Sequence, residues 1–395
     1  MIIKAHLLEG SPLQKVHFFA SEEVMEKTKR QSNFELLRIL AAVLIILCHV
    51  QLYGPQRILT GDYGYFGKPT YYLRLIVFYF GITLGAVGNG LFIIISGYFM
   101  NANDHIDTGK IAKKLLSQLG FAAVLLVIAN SLWVTFFRTE TVSVIGYFSI
   151  LNFNHGWWFV GYYFLIILFA KLFLNEFTAK LTKAQFQSLL LTVFALSQFS
   201  WTATILEGVA GGLRTAALGI FYFLLGGYIA RYNPFKNFKS YTFFLGIAAA
   251  YAVWFLSQYN SASQQIDEFV KSGNTNFVRT VERPGNHGII VVITVICLFE
   301  LFRRLRVPYI PAIDFCGRST LMAYFIHENT FFEMFYKDDA WMEALTTNVP
   351  LYLLKWFKWA AIGFALGVAA YGLYTLLGKL LPRIRSWFVV EETSD

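Results

Sequence analysis

Glu35, Arg38 and His49 stand in a segment whose intervening residues, Ile39 to Leu47, are all apolar. On a helix Glu35 lies one turn before Arg38, close enough to pair with it. Arg38 and His49 are eleven positions apart. At about 100° and 1.5 Å per residue they fall within about 20° of one face and about 16 Å apart. Ionisable groups at bilayer depth cost about 2.5–3.5 kcal/mol each on insertion scales, so they default to function. A carboxylate–guanidinium pair suits an anionic ligand, and an imidazole suits proton transfer near neutral pH. Each also has a plainer reading, Arg38 as a snorkelling boundary residue and His49 as a structural histidine bonded to a neighbouring helix.

Three further clusters carry polar groups in apolar surroundings. Asn89, Ser96 and Tyr98 lie in Asn-Gly-Leu-Phe-Ile-Ile-Ile-Ser-Gly-Tyr. Asn89 and Ser96 share a helical face, as do Gly90 and Gly97. The small residues suit close helix packing, and the polar ones suit either packing or ligand lining. Trp157 and Trp158 follow Asn154-His155-Gly156, and tandem Trp suits an interfacial anchor or a sugar-stacking platform. His327, Glu328 and Asn329 are costly at membrane depth without a polar cavity. Lys110, Lys113 and Lys114 satisfy topology by themselves and would also suit the phosphates of a nucleotide-bearing donor. Two histidines on separate helices also suit a metal, but no H-E-x-x-H or His/Cys ligand spacing accompanies them, so no metal site is expected.

These residues need long apolar helices to position them. Of 395 residues 56% are hydrophobic and only 14% charged, against roughly 25% charged in a soluble domain. A hydrocarbon core of about 30 Å takes about 20 residues of helix. Apolar stretches recur near 34–53, 75–100, 115–137, 156–174, 186–206, 214–230, 241–259, 287–304, 317–335 and 351–378. The expected fold is an all-α, polytopic transmembrane bundle of about ten spans with both termini cytoplasmic. The domain reading is a tail over 1–33, a membrane domain over 34–378 and a second tail over 379–395, with 1–24 expected to be dispensable. Residues 260–286 read as the longest outer loop.

Orientation rests on basic residues. Inner segments gather Lys27, Lys29 and Arg30; Lys110, Lys113 and Lys114; Lys180 and Lys183; Arg231, Lys236 and Lys239; Arg303, Arg304 and Arg306; and Lys379, Arg383 and Arg385. Outer segments are thinner, as the positive-inside rule requires. The net charge of +9 is therefore mostly a topology signal, and no nucleic-acid partner is expected. Cys48, Cys297 and Cys316 show no disulfide or metal spacing and read as packing residues.

The ordered set of motifs resembles the acyltransferase-3 family of membrane acyltransferases. Asn33-Phe34-Glu35-Leu36-Leu37-Arg38, with ten residues before His49, carries the first part. Phe92 to Tyr98, Trp157-Trp158-Phe159, Phe223 to Ile229, and Ser319-Thr320 through Tyr324 to Asn329 carry the rest. The resemblance covers about 33–378, and it is with the stand-alone bacterial type that O-acetylates cell-surface glycans. It implies an acyl-CoA donor, usually acetyl-CoA, with no tightly bound cofactor, and a carbohydrate hydroxyl as acceptor. It places Arg38 and His49 at the active site of a multi-pass plasma-membrane enzyme. One departure concerns Lys110, Lys113 and Lys114, where many relatives have an arginine-rich run. Lysine attracts phosphate but lacks the bidentate fork.

The chemistry expected is acyl transfer from thioester to alcohol. His49 is expected to act as general base, with Glu35 orienting Arg38 and Arg38 holding the donor. His327, Glu328 and Asn329 are expected to support them or to supply an oxyanion donor. A different class fits the same buried groups: a transporter or flippase for a glycan or lipid, using Arg, His and Glu as a proton relay.

Overall fold

The computed structural model describes residues 31–55, 71–101, 106–137, 157–198, 207–272 and 288–388. These all belong to one unit, Gln31–Asp395. Among them there is no strand, and twelve helices follow in order. The long ones are α1 (Ser32–Tyr53), α2 (Tyr71–Met100), α3 (Thr108–Phe137) and α4, which runs Trp158–Phe169 and continues to Ala179. They continue with α5 (Lys183–Gln198), α6 (Glu207–Tyr232), α7 (Ser240–Ser272), α8 (Ile289–Arg304) and α9 (Pro311–His327). Two short helices, α10 (Thr330–Glu333) and α11 (Trp341–Thr347), precede α12 (Val349–Phe388). The all-α bundle expected from composition is thus what the chain forms.

Among the described residues six stretches are long and apolar enough to cross a membrane: Ser32–Tyr53, Thr83–Met100, Thr108–Phe137, Trp158–Ala179, Gly212–Tyr232 and Val349–Leu380. Helices also stand at the other four expected positions, but they are shorter or more polar. Lipid gives no hydrophobic drive for one helix to bury against another, so close approach depends on small residues. Gly97 and Gly226 illustrate this. A Cβ on Gly97 would run into the Phe223 backbone, and one on Gly226 into the Ile94 carbonyl and the Tyr98 amide. The two glycines let α2 and α6 touch main chain to main chain, and these are the most buried spans. α3 and α12 are the least buried, and they expose Leu116, Val124, Ile128, Leu354 and Phe357, as lipid-facing helices should.

Three boundaries differ from the sequence expectation. The stretch 317–335 is not one helix: α9 begins at Pro311 and ends at His327. Asn329 then caps α10, its side chain accepting from the Phe332 amide at 2.9 Å. α7 continues to Ser272, so the first part of the expected outer loop is helical; its remainder lies outside the described residues. α12 runs on to Phe388, into the expected C-terminal tail. The N-terminal expectations for 1–30, and those on Asn154, His155 and Gly156, lie outside the described residues.

The end of the bundle at the α6–α7 turn is closed by ion pairs. Glu300 is fully buried and takes Arg303 Nη2 at 2.8 Å and Arg304 Nε at 3.2 Å. Those arginines also reach the α6–α7 turn, Arg303 at Asn233 Oδ1 (2.8 Å) and Arg304 at the Phe235 carbonyl (2.5 Å). Asn33 ties the start of α1 to the Phe302 carbonyl at 3.1 Å. Basic residues that read as topology markers therefore also staple loops.

Candidate active site

α1 sits at the middle of the bundle, against α2, α8, α9 and α12. Its seam with α9 runs parallel, since Glu35 lies against Gly317 at one end and His49 against His327 at the other. Gly317 is required there, because a Cβ would collide with the Glu35 carboxylate. Glu35 is 1% exposed and pairs with Arg38, as the spacing predicted. On α9 the neighbouring pair Arg318–Asp314, at 2.7 Å, lies at the same end. By rise, Gly317 and His327 are about 15 Å apart, so the seam holds two separate polar clusters.

The outer cluster, so called for the C-terminal ends of α1 and α9 where it lies, contains His49, His327, Glu328 and Tyr53. His49 Nδ1 stands 2.8 Å from His327 Nε2 and touches Glu328 Oε2, a contact that becomes an ion pair when the ring is protonated. The other Glu328 oxygen, Oε1, accepts from the Tyr53 hydroxyl at 2.8 Å. His327 Nδ1 lies 2.7 Å from the Ala323 carbonyl. A carbonyl can only accept, so this nitrogen carries the proton, and the neutral His327 ring turns a lone pair toward His49. His49 Nδ1 must then be the donor to His327, with the Glu328 carboxylate beside it. That leaves His49 Nε2 as the nitrogen with the lone pair when the ring is neutral.

Local folding places these groups. α9 ends at His327, and Glu328 leaves the helix at φ −90° and ψ 64°. Asn329 holds that break: its amide donates to the carbonyls of Phe325 (3.3 Å) and Ile326 (2.5 Å) while its oxygen caps α10. Asn329, expected as an oxyanion donor or site support, is thus committed on both sides to the backbone, and it supports the site by aiming Glu328. Tyr53 was not singled out in the sequence, although it lies one turn beyond His49 and its ring sits 5.8 Å from the imidazole.

The remaining expected residues are dispersed. Trp157 is buried edge-on against Phe325 of α9, close to the outer cluster. Trp158 is exposed and meets Phe159 and Tyr162. Ser96 bonds Tyr163 at 3.0 Å, joining α2 to α4, and Asn89 is half-buried on α2. Tyr98 stacks on Phe34 and meets Phe299 edge-on, near the start of α1 and the far end of α8, away from His49. Lys110, Lys113 and Lys114 lie exposed along the first turns of α3.

The class these features define is a polytopic helical membrane protein with a buried acid–base cluster between two of its helices. Residues 31–381 match the acyltransferase domain of the acyltransferase-3 family, and the chain belongs to that family of membrane acyltransferases. No curated protein and no solved structure matches it.

Proposed function

We propose that this membrane acyltransferase moves an acyl group, most simply acetyl, from acyl-CoA to a hydroxyl of a cell-surface polysaccharide or its lipid-linked precursor, with His49 as general base. The observation that carries this reading is the close contact of His49 Nδ1 with the Glu328 carboxylate. It orients the ring and supports the positive charge that forms when Nε2 takes a proton. A sugar hydroxyl is a weak nucleophile, and a positioned base contributes typically 10²–10⁴-fold.

In the reaction, Nε2 of His49 removes the hydroxyl proton as the oxygen attacks the thioester carbonyl. The tetrahedral intermediate collapses, the carbon–sulfur bond breaks, and the thiolate leaving group takes the proton back from the imidazolium. Arg38, about 16 Å toward the inner face by helix rise, suits the pantetheine or phosphate portion of the donor. Lys110, Lys113 and Lys114 extend that positive charge at the membrane surface. The enzyme is read as a multi-pass plasma-membrane protein of the bacterial envelope.

The test uses purified protein in lipid with acyl-labelled acetyl-CoA. Slow thioester hydrolysis, or transfer to added glycan, supports the reading. Glycolipid flux without CoA release would overturn it. Mass spectrometry of surface glycans from a deletion strain, seeking a lost acyl increment, identifies the acceptor.

A further inference from the structure

His49, His327 and Glu328 each offer a ligand atom, and these atoms all lie within 4.8 Å of one another. Sequence spacing set metal aside because no short ligand motif is present. That argument does not reach ligands on two helices whose histidines are 278 positions apart. Two neutral imidazoles and a carboxylate form the His₂Glu set that binds zinc with one position left open.

We propose that these three residues form a site for a divalent transition-metal ion of the zinc class, and that metal at this site and base function at His49 exclude one another. His327 turns its Nε2 lone pair into the cluster because its Nδ1 bonds the Ala323 carbonyl at 2.7 Å. Such a backbone bond orients a ligating histidine and fixes its tautomer. Glu328 is held in the same way: the Tyr53 hydroxyl takes Oε1 at 2.8 Å and leaves Oε2 facing both rings. Zinc–nitrogen and zinc–oxygen bonds of about 2.0–2.2 Å set ligand atoms about 3.3 Å apart at tetrahedral angles. The separation of His49 Nδ1 from His327 Nε2 is 2.8 Å and that of His327 Nε2 from Glu328 Oε2 is 3.8 Å. These two come within about half an ångström of that value, whereas His49 Nδ1 and Glu328 Oε2 lie closer together than two ligands of one ion, so binding requires the Glu328 carboxylate to draw back by about an ångström. His49 side chain is 14% exposed, against 2% for His327 and 5% for Glu328, so the open ligand position lies on the His49 side.

The two states compete for one atom. As a base, His49 keeps its proton on Nδ1, toward His327 Nε2 and beside the Glu328 carboxylate. As a ligand, Nδ1 gives its lone pair to the ion, and the proton moves to Nε2, which then cannot accept one from a hydroxyl. The ion is therefore an inhibitor rather than a cofactor. This second half rests on His49 being the base, whereas the binding half does not.

The experiment strips purified protein with chelator, titrates zinc against a competing fluorescent chelator, and counts metal per chain after gel filtration. Cobalt replaces zinc in a parallel titration read by its visible absorption. The expected result is one ion per chain and a cobalt spectrum of tetrahedral intensity. Affinity should fall at least about 100-fold in His327→Ala and in Glu328→Gln, with Glu328→Asp retaining more of it. Monodisperse elution checks that the variants fold. Less than a tenth of an ion per chain, or binding that both variants leave unchanged, overturns the site. Acyl transfer that continues at wild-type rate in zinc-loaded protein overturns the exclusion alone. Protein with no transferase activity that still binds zinc through these residues would sink the functional reading and leave the site standing.

Discussion

The imidazoles of His49 and His327 face each other across the seam of α1 and α9, with Nδ1 and Nε2 2.8 Å apart and the rings within 24° of parallel. Only one of these two nitrogens can hold the proton between them. The Ala323 carbonyl decides which, because it already occupies the other nitrogen of His327. A main-chain oxygen on α9 thereby sets the tautomer of a ring on α1.

His49→Ala should lower acyl transfer by about 10²–10⁴-fold with donor binding retained. Glu328→Gln keeps the shape but removes the charge that supports the imidazolium, and it should approach the same loss. Turnover of labelled acetyl-CoA in proteoliposomes measures both. Wild-type rates in His49→Ala would remove it as the base.

Tyr53→Phe keeps the ring beside His49 and deletes the hydroxyl that holds Glu328. Hydrogen bonds to charged groups contribute about 1.5–3 kcal/mol, so kcat should fall about tenfold or more while the donor KM stays level. A changed donor KM with unchanged kcat would contradict this positioning role.

Arg38→Ala should raise the donor KM more than it lowers kcat, since a group far from the reacting carbonyl contributes binding rather than transition-state charge. Arg38→Lys should recover only part of the loss because lysine lacks the planar fork. Equal effects of both changes on kcat alone would place Arg38 at the chemistry instead.

Gly317→Ala drives a methyl group into the Glu35 carboxylate, and overpacking of this kind costs about 1–3 kcal/mol. A lowered thermal unfolding midpoint is expected. Gly372→Ala on α12 is the control, since its Cβ would find only ordinary contact with Phe315 at 3.8 Å. Similar midpoints for both variants would show that the α1–α9 seam gives way easily.

Asp339 supplies a pH test outside the membrane. Burial works against its ionisation, but hydrogen bonds from Lys355 and Trp359, with the charges of Lys355 and Lys358, outweigh it and hold the carboxyl below its ordinary range. The Lys355 bond is 2.7 Å and the Trp359 bond 3.0 Å. A depressed folded-state pKa stabilises above the unfolded pKa and is lost as pH falls through the folded value. Asp339→Asn should therefore lower stability at neutral pH, and the gap from wild type should close below about pH 4. A gap that persists in acid would show that the pairing is not the cause.

Much of this was legible in the sequence, for physical reasons. The Glu35–Arg38 pair is local, one helical turn, so spacing predicts it. His49, His327 and Glu328 were each conspicuous as polar groups in apolar surroundings, yet their meeting depends on how α1 packs against α9, which periodicity does not encode. The break after His327 had a visible signal in Asn329, a residue type that caps helices, but the apolar run on either side masked it. Tyr98 and Ser96 looked like lining residues because they are polar; the fold gives them aromatic stacking and an α2–α4 bond instead.

The parallel seam also orders events during synthesis. A chain extended only through α8 has His49 but neither Glu328 to orient it nor His327 to fix its ring. The outer cluster exists only once α9 has docked. An unfinished or truncated polypeptide therefore carries the imidazole without the partners that set its proton.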